Sequence, residues 1–110
     1  MEIHETQVCT AVIAPLGRID AFTAPELRAV LDRHVAAGTI RFVLDLAGVA
    51  FLDSAGMAVL VTLLKRARTA GGNVRLVWPR EEAARRILRL TRFDRVFDMA
   101  DSTEAALKGF

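Results

Sequence analysis

The sequence predicts an α/β fold with a mixed or parallel β-sheet and right-handed crossover connections. Short apolar runs that are typical of strands alternate along the chain with longer segments in which apolar residues recur at helical spacing. Glycines follow two of the helical segments, at Gly38 and at the pair Gly71 and Gly72, where we expect a helix to end. A chain of 110 residues fits one domain, so residues 1–110 are expected to form a single unit.

The predicted elements alternate in type, and Ile3 indicates a short additional strand ahead of the first. Pro15 favours an edge position or a bulge for the first strand, because proline cannot donate a ladder hydrogen bond. The nearly continuous apolar run over residues 40–49 is typical of a buried strand. In order, the predicted elements are a strand over residues 7–16, a helix over 20–38, a strand over 40–49, a helix over 57–70, a strand over 73–78, a helix over 79–93, a short strand over 95–99 and a helical segment over 101–110.

Capping boxes predict where the first and last helices begin. Thr23 and Glu26 have the required spacing in the first, with Pro25 in its first turn, and Asp101 and Glu104 have it in the last. The first three helices each carry apolar residues on one face, which indicates that this face packs on the sheet. These residues are Leu27, Val30, Leu31 and Val35 in the first, Met57, Leu60, Val61, Leu64 and Ala67 in the second, and Ala84, Ile87, Leu88 and Thr91 in the third.

The composition is that of a globular protein and excludes several other classes. Hydrophobic residues make up 53% of the chain and charged residues 25%, which argues against disorder. No apolar stretch approaches the roughly 20 residues of a membrane-spanning helix, so we expect no membrane segment. The first residues lack the apolar core of a signal peptide, and the single cysteine, Cys9, cannot form an internal disulfide. These features favour the cytoplasm.

The charge balance argues against a nucleic-acid partner. The net charge is only +2, whereas nucleic-acid-binding proteins normally carry a stronger basic excess. A run of arginines nevertheless leaves a site for nucleic acid or another anionic ligand open as an alternative. We favour a solvated helix face, because Phe93 is the one aromatic residue among them that could stack on a base. The arginines are Arg85, Arg86, Arg89, Arg92 and Arg95.

The stretch FLDSAG, residues 51–56, places polar residues between two apolar segments. Asp53 and Ser54 are both residue types that cap helices, so one interpretation is a simple strand-to-helix turn. One capping residue is sufficient at the start of a helix, and here two follow each other. The alanine and glycine that follow remove bulk from the first turn, which leaves Ser54 approachable by another protein. Leu52 and Met57 flank the turn and are expected to rim a contact patch.

Ser54 is not expected to be a catalytic nucleophile. A serine nucleophile needs a base such as histidine within hydrogen-bond reach, and the only histidines are His4 and His34. His34 falls late in the first helix, where a cation is simply favourable. The chain also lacks a nucleophile elbow, a glycine-rich phosphate loop and a cluster with metal-ligand spacing. We therefore predict a protein that is not an enzyme and that uses no cofactor or metal.

Several motifs together resemble one known family. Gly17, Ile19 and Asp20 form a Gly-x-Ile-Asp stretch ahead of the first helix, and residues 53–56 form an Asp-Ser-x-Gly box. Paired glycines precede a later strand, and a Leu-Thr-x-Phe stretch ends the third helix. On these motifs the sequence, over about residues 13–107, is similar to the anti-sigma factor antagonists of the STAS-domain family.

The resemblance implies a single STAS domain with a four- to five-stranded mixed sheet and about four helices packed mainly on one face. It also implies a partner switch, in which the unphosphorylated protein binds an anti-sigma factor that is also a serine/threonine kinase and so releases a sigma factor. Phosphorylation of Ser54 would block binding, and a serine phosphatase would restore it. The partner-binding residues implied in this way are Asp20, Phe22, Thr23, Leu52, Asp53, Ser54, Ala55, Gly56 and Met57.

One residue of the box departs from the family pattern. Ala55 stands where serine or threonine is common, which leaves Ser54 as the one hydroxyl of the box. A phosphate at Ser54 would lie at a helix N-terminus, where free backbone N–H groups favour an anion.

We expect a monomer when the protein is free, with no nucleic-acid or membrane partner. The remaining alternative is a structural STAS subunit of a larger complex, of the stressosome or lipid-transport type.

Overall fold

The computed structural model describes residues 1–7 and 10–110, with the backbone alone described at residues 6 and 7. Strands and helices alternate through most of this part of the chain, as the sequence predicts. The strands are β1 (Ile3–Gln7), β2 (Ala11–Pro15), β3 (Gly17–Ile19), β4 (Arg41–Asp45), β5 (Val49–Leu52), β6 (Asn73–Val77) and β7 (Asp98–Ala100). The helices are α1 (Ala24–Ala36), α2 (Ser54–Thr69), α3 (Glu82–Leu90), α4 (Phe93–Val96) and α5 (Thr103–Leu107).

Five of the strands form a mixed sheet in the order β1-β2-β4-β6-β7. β1 runs antiparallel to β2, whereas β2, β4, β6 and β7 are parallel to their neighbours. β3 and β5 form a separate two-stranded parallel sheet. The predicted mixed α/β architecture is confirmed, and the β3–β5 sheet is an addition that the sequence pattern did not indicate.

The main core lies between the five-stranded sheet and the first three helices. Phe42 and Leu44 of β4 join this core together with Val74 and Leu76 of β6. Because side chains alternate along a strand, the residues between them face the other side of the sheet. The helices contribute the stripes that their periodicity predicts, among them Leu27, Val30 and Leu31 from α1, Leu60, Leu64 and Ala67 from α2, and Leu88 from α3.

The opposite face of the sheet carries α5. Val43 and Val77 pack there against Ala106 of that helix. The guanidinium of Arg75 donates hydrogen bonds to the carbonyls of Ala106, at 2.8 Å, and Lys108, at 2.7 Å. These contacts hold the last helix on the side of the sheet away from α1 and α2, so the described helices pack mainly, though not all, on one face.

The predicted strand over residues 7–16 corresponds to β2, and the short strand predicted from Ile3 corresponds to β1, which pairs with β2 in antiparallel fashion. The predicted range 7–16 also covers Val8 and Cys9, which lie outside the described residues. The edge position favoured by Pro15 is wrong, because β2 lies between β1 and β4 in the sheet. Pro15 is instead the last residue of β2, beyond the last residue of the pairing with β4. Its missing N–H therefore removes no hydrogen bond to that neighbour.

The predicted strand over residues 40–49 is divided in the structure. Asp45 ends β4, and its Oδ1 accepts the N–H of Ala47 at 3.0 Å, which forms a turn. β5 then begins at Val49 and pairs with β3 instead of extending β4. In the third helix, Thr91 was expected to face inward, but α3 ends one residue earlier and this side chain is exposed.

Both predicted capping boxes are wrong. Thr23 makes no side-chain cap hydrogen bond to α1, and Glu26 pairs with the Met1 amine at 2.9 Å. At α5 the N-cap is Ser102, whose Oγ accepts a first-turn N–H at 3.1 Å, and not its neighbour Asp101. A capping residue is chosen by the path of the chain into the helix, and spacing alone does not specify that path.

The paired glycines between α2 and β6 serve two different physical needs. Gly71 adopts φ +89°, a left-handed conformation that L side chains rarely adopt, but a Cβ there would meet open space. Gly72 passes so close to β4 that an added Cβ would lie 1.7 Å from the Ile40 carbonyl oxygen. This approach accompanies the hydrogen bond from the Asn73 N–H to the same oxygen, at 3.0 Å.

Gly72→Ala is therefore expected to destabilise the fold by about 3 kcal/mol or more, because the backbone must move to relieve the clash. Gly71→Ala is the matched control and should cost about 1–2 kcal/mol, the strain of an L residue with positive φ. Urea unfolding of both variants beside the wild type measures the two costs. A larger loss for Gly71→Ala would show that the close approach at Gly72 is not the dominant constraint.

Candidate functional site

The small parallel sheet ends in two aspartates. Ile19 of β3 and Leu52 of β5 are partners at the end of the ladder, and Asp20 and Asp53 follow them directly. Because both strands run in the same direction, the two aspartates leave the sheet at the same edge. All of the predicted partner-binding residues lie at or next to this edge, so the fold brings them together.

Asp53 is the N-cap of α2. Its Oδ1 accepts hydrogen bonds from the N–H groups of Ala55, at 2.9 Å, and Gly56, at 3.1 Å. Ser54 is the first residue of the helix and is exposed. The expectation of free first-turn N–H groups beside Ser54 is therefore wrong for these two, because the Asp53 carboxylate already occupies them.

Gly56 allows the first turn of α2 to rest directly on β3. A Cβ at this position would lie 2.6 Å from the Ile19 Cγ2 and 2.8 Å from the Ile19 carbonyl oxygen. The same carbonyl accepts the N–H of Asp53 at 3.2 Å. A side chain larger than hydrogen would push the helix away from the strand, which explains why a glycine ends the Asp-Ser-x-Gly box.

Asp20 organises the turn that leads into α1. Its Oδ1 accepts the N–H groups of Phe22, at 3.0 Å, and Thr23, at 3.1 Å. The Thr23 hydroxyl accepts the Asp20 N–H at 2.9 Å and donates to the Arg18 carbonyl at 2.8 Å. Asp20 was predicted as a partner contact, and the structure adds a role in holding this turn.

The hydrogen bonds of this turn also affect the ionisation of Asp20. Donation from the Thr23 backbone N–H is the largest cause that lowers the pKa of this carboxyl below its ordinary value. Burial acts in the opposite direction, and the Phe22 N–H and the Arg18 side chain lower the pKa further. The carboxylate is thus ionised at neutral pH.

Arg18 and Phe51 form a contact that sequence reasoning missed. The guanidinium carbon of Arg18 lies 4.2 Å from the centroid of the Phe51 ring, in a cation–π arrangement. The Arg18 Nε lies 3.4 Å from the Asp20 Oδ2, so the same side chain also contacts the aspartate. Since the two strands pair only in the folded protein, no local pattern could have indicated this contact.

The predicted partner-binding residues differ widely in exposure. The Phe22 side chain is 89% exposed, which is unusual for a large apolar residue. Ala55 and Met57 are half-buried and pack against the core. Leu52 is only 1% exposed, so the expectation that its side chain rims a contact patch is wrong. Its apolar character is explained by the core.

The arginines near α3 have different surroundings. Arg85 donates to the Pro79 carbonyl at 3.1 Å and lies 5.0 Å from the centroid of the Trp78 ring, so it is part of the folded structure. Arg89 pairs with Glu82. Arg86, Arg92 and Arg95 are exposed. Nothing in these contacts assembles the arginines into an anion site.

Within residues 1–7 and 10–110, no group of three or more His, Cys, Asp or Glu side chains is arranged to hold a metal ion. None of the helices described there has the length and apolar character needed to cross a bilayer.

Comparison with known proteins identifies close relatives in sequence and in structure. Residues 1–106 match the family model described as the STAS domain. The chain is 31% identical over 94 residues to a protein of Bordetella bronchiseptica named "Putative anti-sigma factor antagonist BtrV", and the match covers 86% of this chain and 80% of the relative.

Two solved structures are informative. An anti-sigma factor antagonist from Mycobacterium paratuberculosis superposes with a TM-score of 0.85 and 29% identity, covering 96% of this chain and 90% of the other. The Bacillus cell fate determinant SpoIIAA in its phosphorylated form has a TM-score of 0.72 at 19% identity, covering 94% and 96%. At 19% identity, the similarity to SpoIIAA shows a shared fold alone.

The lowered pKa of Asp20 predicts a specific dependence of stability on pH. A depressed carboxyl pKa stabilises the folded protein above the unfolded-state value, about 3.9 for aspartate, and this contribution is lost as pH falls through the folded-state value. Asp20→Asn keeps an oxygen acceptor for the turn but removes the charge. The difference in unfolding free energy between wild type and Asp20→Asn should therefore be constant near neutral pH and shrink below about pH 4.

Urea unfolding at a series of pH values measures this difference. A difference for Asp20→Asn that stays constant down to about pH 2.5 would contradict the role given to the Asp20 charge.

Proposed function

The chain belongs to the STAS domain family, and we propose that it acts as an anti-sigma factor antagonist whose partner binding is controlled by phosphorylation of Ser54. In the unphosphorylated form it binds an anti-sigma factor that is also a serine/threonine kinase, and a sigma factor is released. The kinase transfers phosphate to the Ser54 hydroxyl and the complex dissociates. A serine phosphatase returns the protein to its binding form.

One observation carries this proposal, namely the surroundings of Ser54. The hydroxyl is exposed at the first residue of α2, while the neighbouring Asp53 makes the cap hydrogen bonds. Ser54 is therefore not needed as a cap and is available for modification. Its neighbours Ala55 and Gly56 present little bulk, so a kinase active site can approach the hydroxyl.

The effect of phosphate on binding follows from charge. A phosphoserine carries about −1.5 to −2 charges at neutral pH. The first-turn N–H groups of Ala55 and Gly56 are occupied by Asp53, so they cannot absorb this charge without breaking the cap. Docking of a partner over Ser54 would then bury a phosphate for which the partner supplies no matching cation, at a cost of several kcal/mol.

The remaining docking surface lies next to Ser54. Phe22 is held outward by the Asp20 turn and is suited to enter an apolar pocket of the partner. Thr23 follows Phe22 directly at the start of α1, and Met57 lies in the first turn of α2. Asp20 and Asp53 fix the backbone of these two segments. We propose that Leu52 and Gly56 contribute to this surface through the backbone that they position.

The proposal also covers the domain organisation, location and oligomeric state of the protein. We propose a single STAS domain that is a cytoplasmic monomer when free and has no catalytic activity, cofactor, nucleic-acid partner or membrane partner of its own. The contacts of Arg85 and Arg89 support the absence of a nucleic-acid partner, since they account for two of the arginines of the alternative anionic-ligand site.

Variants of Ser54 test the switch directly. Ser54→Asp should bind the cognate anti-sigma factor about tenfold or more weakly than the wild type, because the carboxylate supplies part of the phosphate charge. Ser54→Ala should keep the affinity and change the unfolding free energy by less than about 0.5 kcal/mol, because Asp53 makes the cap. Isothermal titration calorimetry at fixed salt and nucleotide concentrations measures both affinities.

Ser102→Asp is the matched control for this experiment. It adds the same charge to another exposed serine at a helix start, but on the opposite face of the sheet, and asparagine, aspartate and serine are similar N-caps. It should leave the affinity unchanged. Equal affinities for Ser54→Ala and Ser54→Asp would refute the switch, as would phosphate located by mass spectrometry on Ser102, Thr103 or Thr23 instead.

A further inference from the structure

Arg18 is a cation at the edge that carries Ser54, and two contacts hold its side chain there. Its Nε lies 3.4 Å from the Asp20 Oδ2, and its guanidinium carbon lies 4.2 Å from the Phe51 ring centroid. The side chain is 61% exposed. An exposed ion pair at this distance is weak, so the guanidinium can exchange Asp20 for a stronger anion at little cost.

The β3–β5 register places Ser54 at the same end of the small sheet as Arg18, because Arg18 pairs with Phe51 and α2 begins against β3. The Asp53 N–H donates to the Ile19 carbonyl, and Gly56 contacts the same residue. Asp53 and Gly56, which lie on either side of Ser54 in the sequence, both contact Ile19. Ile19 is the residue next to Arg18. The Arg18 guanidinium also stacks on the ring of Phe51, a residue three positions before Ser54 in the sequence.

A phosphate at Ser54 has few alternatives for charge compensation in its own helix. The N–H groups of Ala55 and Gly56 are taken by Asp53, and the first turn of α2 contains no basic residue. The neighbouring carboxylates of Asp20 and Asp53 repel it. Arginine binds phosphate through two parallel N–H donors, which makes it a better partner for phosphate than for a single carboxylate oxygen.

We propose that Arg18 is the counter-ion of phosphorylated Ser54 and that it leaves Asp20 and Phe51 to bind the phosphate. The inference rests on the proposed phosphorylation of Ser54 but not on the identity of the kinase. In the unphosphorylated protein, the guanidinium covers Phe51 and pairs with Asp20. In the phosphorylated protein, it pairs with the phosphate, and Phe51 is uncovered.

This exchange makes Arg18 a positioning residue for the phosphate. It would hold the modified side chain against the protein and partly neutralise it, so that a phosphatase meets an ordered substrate. It would also remove a cation that the unphosphorylated surface offers to a partner. The two forms would then differ in the charge at two positions, Arg18 and Ser54, and in the exposure of Phe51.

The test uses the full chain with phosphoserine incorporated genetically at position 54, so no kinase is needed. Phosphorus NMR during a pH titration gives the pKa of the second phosphate ionisation, which is near 6 for free phosphoserine. Arg18→Gln in this phosphorylated protein should raise that pKa by about 0.5–1 unit, because a nearby cation favours the dianion. Proton NMR of the Arg18 methylenes should show the ring-current shift from Phe51 in the unphosphorylated protein and its loss on phosphorylation.

Arg33→Gln is the matched control for loss of one positive charge. Arg33 is similarly exposed, at 68%, and faces a carboxylate, Glu5, at 3.6 Å, but it lies in the last turn of α1. Its replacement should leave the phosphate pKa unchanged within about 0.2 unit. Equal pKa shifts for Arg18→Gln and Arg33→Gln would overturn the proposal, and so would Arg18 methylene shifts that stay the same on phosphorylation. Because neither readout involves an anti-sigma factor, such a result would leave the proposed switch standing, and failure of the switch in the calorimetric experiment would leave this result intact.

Discussion

The contact between the Ile19 backbone and the first turn of α2 fixes the geometry on which the candidate site depends. The Ile19 carbonyl accepts the Asp53 N–H, and only a glycine at position 56 lets the helix come so close. This contact joins the end of β3 to the start of α2, so the Asp20 turn and Ser54 are placed side by side. Because interiors are close-packed, a change at Gly56 would move the whole edge and not one side chain.

The two aspartates at this edge make similar hydrogen bonds to the backbone, and these bonds leave the Ser54 hydroxyl free of a capping role. Asp20 and Asp53 each use one carboxylate oxygen to accept two backbone N–H groups, and each thereby starts the segment that follows it. The backbone is thus satisfied without Ser54, whose hydroxyl stays at the surface. A charge added to that hydroxyl would act on the surroundings of the site, while the cap that supports α2 is kept. The fold therefore tolerates a modification that alters the surface.

The sequence predicted the alternation of strands and helices because apolar periodicity is a local property of each segment. It also predicted the neighbourhood of Asp20 and Ser54, through motifs that resemble those of a known family. It did not separate β3 and β5 as a second sheet, because three- and four-residue strands carry little periodic signal. The turn held by Asp20, the cap at Ser102, the burial of Leu52 and the stacking of Arg18 on Phe51 all depend on the path of the folded chain, and no spacing rule could specify them.

The claim that phosphate changes the surface and not the fold can be measured on the protein alone. Amide chemical shifts of the phosphorylated and unphosphorylated forms, together with their unfolding free energies, would give the extent of any rearrangement. We expect shift changes confined to residues 16–24 and 49–58, with unfolding free energies that agree within about 1 kcal/mol, as for surface changes that spare caps and core. Shift changes that extend to β7 and α5 on the far face of the sheet, or a loss of several kcal/mol, would show that phosphorylation acts by rearranging the fold.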